Sequence, residues 1–279
     1  MTIREAIRAA SARLEQAGVD TPLHDASEML AHLLGENTLM MRMNGHRELA
    51  QEKQAQFDAF TARRAAREPM QYILGTTAFM GQEFHVEPGV LCPRPDTEIL
   101  CEEALRHVRP DSRVLDIGTG SGALAVSIAK LGVCSVTAVD VSDTALRVAK
   151  GNAEANGAQV RFVKSDCFSA LAGETFDVIV SNPPYIRTAV IEELKEEVKC
   201  HDPFIALDGK EDGLHFYRRI TEEAPEYLKS GGKLFFEIGH DQGDDVKKLL
   251  EQAGFTGVTV KKDLAGLDRV VFGSYNILG

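Results

Sequence analysis

Asn182-Pro183-Pro184-Tyr185 is the stretch whose residue types and order could do chemistry. Pro183 and Pro184 carry no backbone N–H, so a strand ladder cannot continue through them, and they push Asn182 into an extended conformation. The result is a stiff turn that presents carbonyl oxygens without competing donors. Asn182 adds a neutral side-chain acceptor, and Tyr185 adds a flat apolar face. Such a turn could grip a planar –NH2 group by both of its hydrogens. Asn-Pro and Pro-Pro are also common turn dipeptides. Taken alone, the four residues stand level between a strand-ending turn and an amino-group grip.

A second constellation is Gly118-Thr119-Gly120-Ser121-Gly122. A Gly-rich turn between a strand and a helix lets the backbone approach a ligand, and the helix N-terminus favours an anionic group. Asp140 ends the next strand-like run, where a carboxylate can accept from two ribose hydroxyls. Asp166 and Phe168, past the third run, could bond an adenine amino group and stack on its ring. These residues predict an adenosine-containing cofactor. Gly118-x-Gly120-x-x-Ala123 also satisfies the looser dinucleotide fingerprint, so a nicotinamide cofactor stays open on these residues. Asn182–Tyr185 separates the two, because methyl transfer to a planar amine or amide nitrogen needs such a grip and hydride transfer has no stated use for it. The lone pair of that nitrogen is delocalised, and two acceptors on its hydrogens would localise and aim it without a strong base. A neutral Asn suits an uncharged amide.

The elements that must position these residues alternate. Strand-like runs at 113–117, 135–139, 160–163, 176–181 and 233–238 are separated by helical patterns, and 255–260 and 269–273 complete a sheet. The pattern predicts an α/β doubly wound parallel sheet with its site at the strand C-termini. Residues 1–70 read instead as a small helical domain. Its first helix is capped by Thr2 and Glu5 and closed by Gly18, and the second opens at Thr21-Pro22 and closes at Gly35. Met40, Met41 and Met43 suit a bundle core better than an adaptable binding surface. Residues 71–90, with strand-like pieces at 72–74, 78–80 and 83–86, read as a β-hairpin linker. Residues 91–279 form the cofactor-binding domain.

Composition sets outer bounds. The 279 residues are 44% hydrophobic and 26% charged, a balance suited to a soluble globular protein. The net charge of −11 lies almost wholly beyond residue 75, and no Lys/Arg run makes a basic track, which argues against tight duplex binding. Five cysteines without a C-x-x-C pair are expected to be reduced, and the scattered histidines indicate no metal. The first helix begins at once, leaving no room for a targeting segment, and no membrane span is seen.

In its motifs and their order the chain resembles the class I S-adenosylmethionine-dependent methyltransferases. More narrowly it resembles the HemK/PrmC-type peptide chain release factor glutamine-N5 methyltransferases. The resemblance covers nearly the whole chain. It includes Gln71-Tyr72-Ile73-Leu74-Gly75, Pro93-Arg94-Pro95, Asp212-Gly213-Leu214, Glu237-Ile238-Gly239 and Asp263-Leu264-Ala265-Gly266 with Asp268-Arg269. It implies a Rossmann-like class I methyltransferase sheet beside the helical domain, which would recognise the substrate. It implies S-adenosylmethionine on Gly118–Gly122, Asp140, Asp166, Phe168 and Asn182, with S-adenosylhomocysteine as product. Asn182, Pro183, Pro184, Tyr185 and Arg94 would hold the glutamine of the Gly-Gly-Gln loop in a class 1 release factor. A cytoplasmic monomer with no direct nucleic-acid partner is expected. The alternative is a nucleic-acid methyltransferase acting on an exocyclic amine of the N6-adenine type, which would need base extrusion and a basic track. The chain departs from the usual pattern at Asp96, where Glu is common, and at Cys200-His201-Asp202-Pro203 and Asp208-Gly209-Lys210.

Overall fold

A computed structural model describes residues 1–277. The last two residues of the expected 91–279 segment lie outside the described residues. Backbone contacts group the chain into two units: Met1–Thr76 with Lys195–His201, and Thr77–Leu194 with Asp202–Gly279.

The first unit is helical. Its helices are α1 (Ile3–Gln16), α2 (Pro22–Leu34), α3 (Thr38–Met43), α4 (Gln51–Ala65) and α5 (Met70–Leu74). The expected capping box is complete: the Thr2 N–H donates to Glu5 Oε2 (2.8 Å) and the Glu5 N–H to Thr2 Oγ1 (3.3 Å). Ile3, Leu14, Met29, Leu30 and Phe57 fill the core. The methionines divide, with Met41 buried while Met40 and Met43 are exposed. Residues 72–74 form α5 and not the strand expected of them. Pro69 opens that turn, and Gly75 closes it in the left-handed region. The Arg64 guanidinium is buried against Asp25 (2.7 Å) and also reaches Glu197 (3.3 Å), to which Arg67 donates as well (2.7 Å). Glu197 belongs to the single turn α9 (Glu196–Lys199), far off in sequence.

The second unit opens with the hairpin β1 (Thr76–Phe79) and β2 (Gln82–His85), turned by Met80 and Gly81, both at positive φ as a tight hairpin requires. The sequence sets 71–90 apart as a linker, whereas the hairpin packs into this unit through Phe79 and Phe84, which share a core with Leu100, Leu124 and Val178. Then follow α6 (Thr97–Leu105), β3 (Arg113–Ile117), α7 (Ala123–Gly132), β4 (Ser135–Asp140), α8 (Asp143–Ala155), β5 (Val160–Lys164) and β6 (Phe176–Ser181). After the turn α10 (Phe204–Leu207) come α11 (His215–Tyr227), β7 (Leu228–Glu237), α12 (Gly243–Gln252), β8 (Thr256–Lys262) and β9 (Asp268–Tyr275).

The strands form one seven-stranded sheet in the order β5-β4-β3-β6-β7-β9-β8. β5, β4, β3, β6 and β7 are parallel. β9 runs antiparallel to both of its neighbours, β7 and β8, so the sheet is mixed where a parallel one was expected. Successive side chains point to opposite faces. Val114, Val178 and Phe235 enter the core beneath α6 and α7, while Leu115, Ile179 and Phe236 enter the core beneath α11 and α12. β3 has β4 on one side and β6 on the other, and the chain reverses its winding there. The crevice at the carboxyl ends of β3 and β6 is where such a sheet binds ligands. The Ser181 hydroxyl donates to the Ile117 carbonyl (2.8 Å) and ties those two strand ends together.

Candidate active site

A cavity of about 500 Å³ opens at these strand ends. Gly118–Ser121, Asp140, Asp166, Asn182, Pro183, Pro184 and Arg94 all line it, and Gly122, expected at the cofactor, does not. The two constellations that the sequence separates by some sixty residues therefore share one space.

The Gly-rich loop leaves β3 with Gly118, Gly120 and Gly122 all at positive φ, which L side chains rarely adopt. The Gly118 and Thr119 N–H groups both donate to the Val139 carbonyl, at 2.9 and 3.0 Å, and close the turn. A Cβ at Gly118 or Gly120 would meet nothing within 4 Å, so the loop faces open space. At Gly122 a Cβ would stand 2.9 Å from Ala149 Cβ, because α7 and α8 approach closely there. Asp140 is held by two backbone donors: Gly120 N–H to Oδ2 and Ser142 N–H to Oδ1, both at 2.9 Å. Each oxygen keeps lone pairs for a ligand.

Asp116 was missed by the sequence reading. It lies inside β3, is 1% exposed and accepts the Thr119 hydroxyl on Oδ2 (2.6 Å). Burial pushes its carboxyl up to about 7. An acidic residue within an otherwise apolar strand was the available signal.

Asn182 directs Nδ2 at Thr97 Oγ1, 3.2 Å away, at the start of α6. Behind them Glu237 ends β7 fully buried, and burial pushes its carboxyl up to about 7. Tyr185 does not line the cavity. Its ring packs on the core beneath α11, and its hydroxyl donates to Glu237 Oε1 (3.4 Å). Its backbone is clasped: Gln242 Nε2 donates to the Tyr185 carbonyl (3.0 Å), and a Cβ at Gly213 would stand 2.5 Å from that oxygen. The expected contact of Tyr185 with a substrate side chain is therefore corrected, because the ring is committed to the fold.

Phe168 is also corrected. It is fully buried, stacks on Tyr227 with centroids 4.4 Å apart and does not line the cavity. Its neighbour Cys167, at φ 48°, turns the chain, so Asp166 and Cys167 face the cavity and Phe168 faces the core. Asp166 pairs with Arg219 (2.6 Å) and remains half-exposed. Arg94 pairs with the buried Asp202, and Pro203 and Ile205 add further lining. Asp96 pairs with Arg269 (3.3 Å), whose guanidinium also meets Asp263 (3.1 Å). Asp263 in turn accepts the N–H groups of Ala265 and Leu267, each at 2.9 Å. The Asp263–Arg269 segment thus braces the loop that carries Asp96. Among the described residues, no group of three His, Cys, Asp or Glu could hold a metal, and no helix is long and apolar enough to cross a membrane.

The family model described as "PrmC N-terminal domain" matches residues 5–75, and that described as "Methyltransferase small domain" matches residues 82–264. A release factor glutamine methyltransferase of Geobacter sulfurreducens is 43% identical over 273 residues, covering 98% of this chain and 96% of that protein. One from Clostridium acetobutylicum is 39% identical over 279 residues, covering 97% and 98%. The crystal structure of a methyltransferase from Pyrococcus furiosus, 23% identical, superposes with a TM-score of 0.56 over 82% of this chain and 100% of that one, which shows a common fold. The chain belongs to the release factor glutamine methyltransferase family, and with it to the S-adenosylmethionine-dependent methyltransferases.

Proposed function

We propose that this chain transfers a methyl group from S-adenosylmethionine to the side-chain amide nitrogen of a glutamine, the one in the Gly-Gly-Gln loop of a class 1 peptide chain release factor. One observation carries the reading: the Asn182-Pro183-Pro184 turn and the Gly118–Ser121 part of the Gly-rich loop with Asp140 line a single cavity. The residues fit the cofactor. The loop leaves space that any side chain would narrow, and Asp140 is preset by two backbone donors with lone pairs to spare for ribose hydroxyls. Asp166 would take the adenine amino group, with Cys167 and Val141 beside it.

When bound, S-adenosylmethionine supplies an electrophilic methyl carbon on sulfonium. The Asn182 side-chain oxygen and the Pro183 carbonyl would hold the two amide hydrogens of the glutamine. They localise its nitrogen lone pair and orient it, and one of those hydrogens leaves to solvent as the new N–C bond forms. Arg94, locked to Asp202, would meet the substrate backbone at the cavity rim. The helical unit would recognise the release factor. The reading takes the protein as a cytoplasmic monomer, with no nucleic acid in the reaction.

Tritium transfer from labelled S-adenosylmethionine to purified release factor, run beside tRNA, rRNA and DNA, tests it. Label is expected on the release factor only, and absent from a Gln→Glu release factor, whose carboxylate has no hydrogens to offer the acceptors. Greater transfer to any nucleic acid would overturn the reading.

A further inference from the structure

The loop after β5 carries Asp166 to the cavity, and its backbone is held from within. The Ser165 N–H donates to the Asp140 carbonyl (3.1 Å), so the two carboxylates at this end of the cavity stand on joined segments. The Asp166 N–H donates to Ser169 Oγ (3.1 Å), the Ser169 N–H returns to the Asp166 carbonyl (3.1 Å), and the Ala170 N–H donates to Ser165 Oγ (3.0 Å). None of these bonds fixes the Asp166 carboxylate. Arg219 of α11 does. Its Nη1 donates to Asp166 Oδ1 (2.6 Å), its Nη2 to the Asp166 carbonyl (3.2 Å) and its Nε to Glu223 Oε1 (3.0 Å). Asp166 Oδ2 receives no hydrogen bond among the described residues, and Asp166 and Arg219 both line the cavity.

A rigid fork set on the carbonyl and on one carboxylate oxygen of the same residue fixes the torsions of that side chain. The pair is partly exposed, Arg219 by 30% and Asp166 by 58%, and such pairs contribute at most about 1 kcal/mol to stability. Its geometry therefore matters more than its strength. One carboxylate oxygen is held at α11, and the other is left for a donor.

We propose that Arg219 is a positioning residue for the base of the cofactor: it sets Asp166 so that Oδ2 accepts from the adenine amino group and disfavours a 6-oxo purine. The inference rests on the reading of Asp166 as the adenine contact given above, and it adds the residue that makes that contact selective. An acceptor fixed in place bonds an NH2 and repels a carbonyl oxygen, whereas a carboxylate free to turn discriminates less.

The test is calorimetric titration of the full-length protein, without acceptor, with S-adenosylhomocysteine and with S-inosylhomocysteine, which carries a 6-oxo group in place of the amino group. The wild type should bind the adenine form tighter by about tenfold or more, as for one hydrogen bond to a charged group. In Arg219→Met the carboxylate must be ordered by the ligand itself, and the ratio should fall to about threefold or less. Asp166→Asn gives a sharper readout. With Oδ1 still held by Arg219, Nδ2 faces the base, so the preference should invert toward the 6-oxo form. In the double variant Asp166→Asn/Arg219→Met the amide turns either way, and the two ligands should bind within about threefold of each other. Melting temperatures without ligand should move by only a few degrees in every variant, as expected of a partly exposed pair, so a loss of selectivity is not a loss of fold. An Arg219→Met protein that keeps the wild-type ratio would overturn the role of Arg219 and leave Asp166 at the base, as would an inversion that persists in the double variant. An Asp166→Asn protein that keeps the wild-type ratio would remove Asp166 from the base, and the proposal with it.

Discussion

Asp140→Asn isolates the carboxylate that the proposed function places on the cofactor ribose. The wild-type carboxylate receives Gly120 N–H on one oxygen and Ser142 N–H on the other. Its remaining lone pairs are those that would take the ribose hydroxyls in the proposed function. Asn keeps the size but has one acceptor, so an NH2 must face either a backbone N–H or a ribose hydroxyl. Hydrogen bonds to a charged group contribute about 1.5–3 kcal/mol each. Losing the charge on both contacts and one acceptor outright should cost about 2–3 kcal/mol, a weakening of about 30- to 150-fold at roughly 1.4 kcal/mol per decade. Calorimetric titration with S-adenosylmethionine and S-adenosylhomocysteine measures this directly. Thermal melting without cofactor is the control and should change by only a few degrees, because Asp140 lies at the loop and not in the core. At a cofactor concentration near a hundred times the wild-type Kd, binding stabilises the wild type by about 2.7 kcal/mol. Most of that shift should vanish in the variant. Affinity within about threefold of wild type would refute the ribose assignment.

Asn182→Ala should keep most cofactor affinity and lose methyl transfer by roughly 10²-fold, read from single-turnover rates with cofactor saturating. Near-normal transfer would remove Asn182 from the grip. Gly122→Ala should destabilise the second unit by about 2 kcal/mol or more, because the new Cβ meets Ala149 at 2.9 Å from a positive φ; denaturant unfolding would show it, and an unchanged midpoint would refute the packing argument. Asp116→Asn tests the buried carboxyl. The folded protein holds that proton up to about pH 7, whereas the unfolded chain releases it near 4, so stability falls as pH rises between those values and stays low above them. The variant does not titrate there. Its gain in melting temperature should be small at pH 5 and full at pH 8, and an equal gain at both would show that Asp116 is not the group responsible.

Backbone-encoded features were the legible ones. A Gly-rich turn, a Pro-Pro stop and an Asp at a strand end act through their own φ/ψ and their own carbonyls, so local order places them. Features that depend on which way a side chain leaves a turn were not legible. Phe168 was expected at the adenine, but the left-handed Cys167 turns it into the core and leaves Asp166 and Cys167 outside. Tyr185 was expected at the substrate, yet its ring and carbonyl are committed to the core and to Gln242. Thr97 meets Asn182 only because α6 packs beside β6, which no spacing in the chain reveals. The placement of β9 between β7 and β8 is likewise a matter of pairing and not of pattern. Residues 72–74 are apolar enough for either period, and Pro69 with Gly75 decided for a helical turn.

The attachment of Lys195–His201 to the helical unit has a consequence for synthesis. Arg64 and Arg67 share the Glu197 carboxylate, and Lys195 pairs with Asp20. These partners leave the ribosome well over a hundred residues after the helices they join. A nascent chain of helices α1 to α5 alone must therefore wait, with Arg67 lacking its carboxylate and Arg64 holding only Asp25, until β3 to β6 have been made. The amino-terminal unit is thus begun first and completed late, and a fragment ending at residue 76 should melt below the same helices in the whole chain.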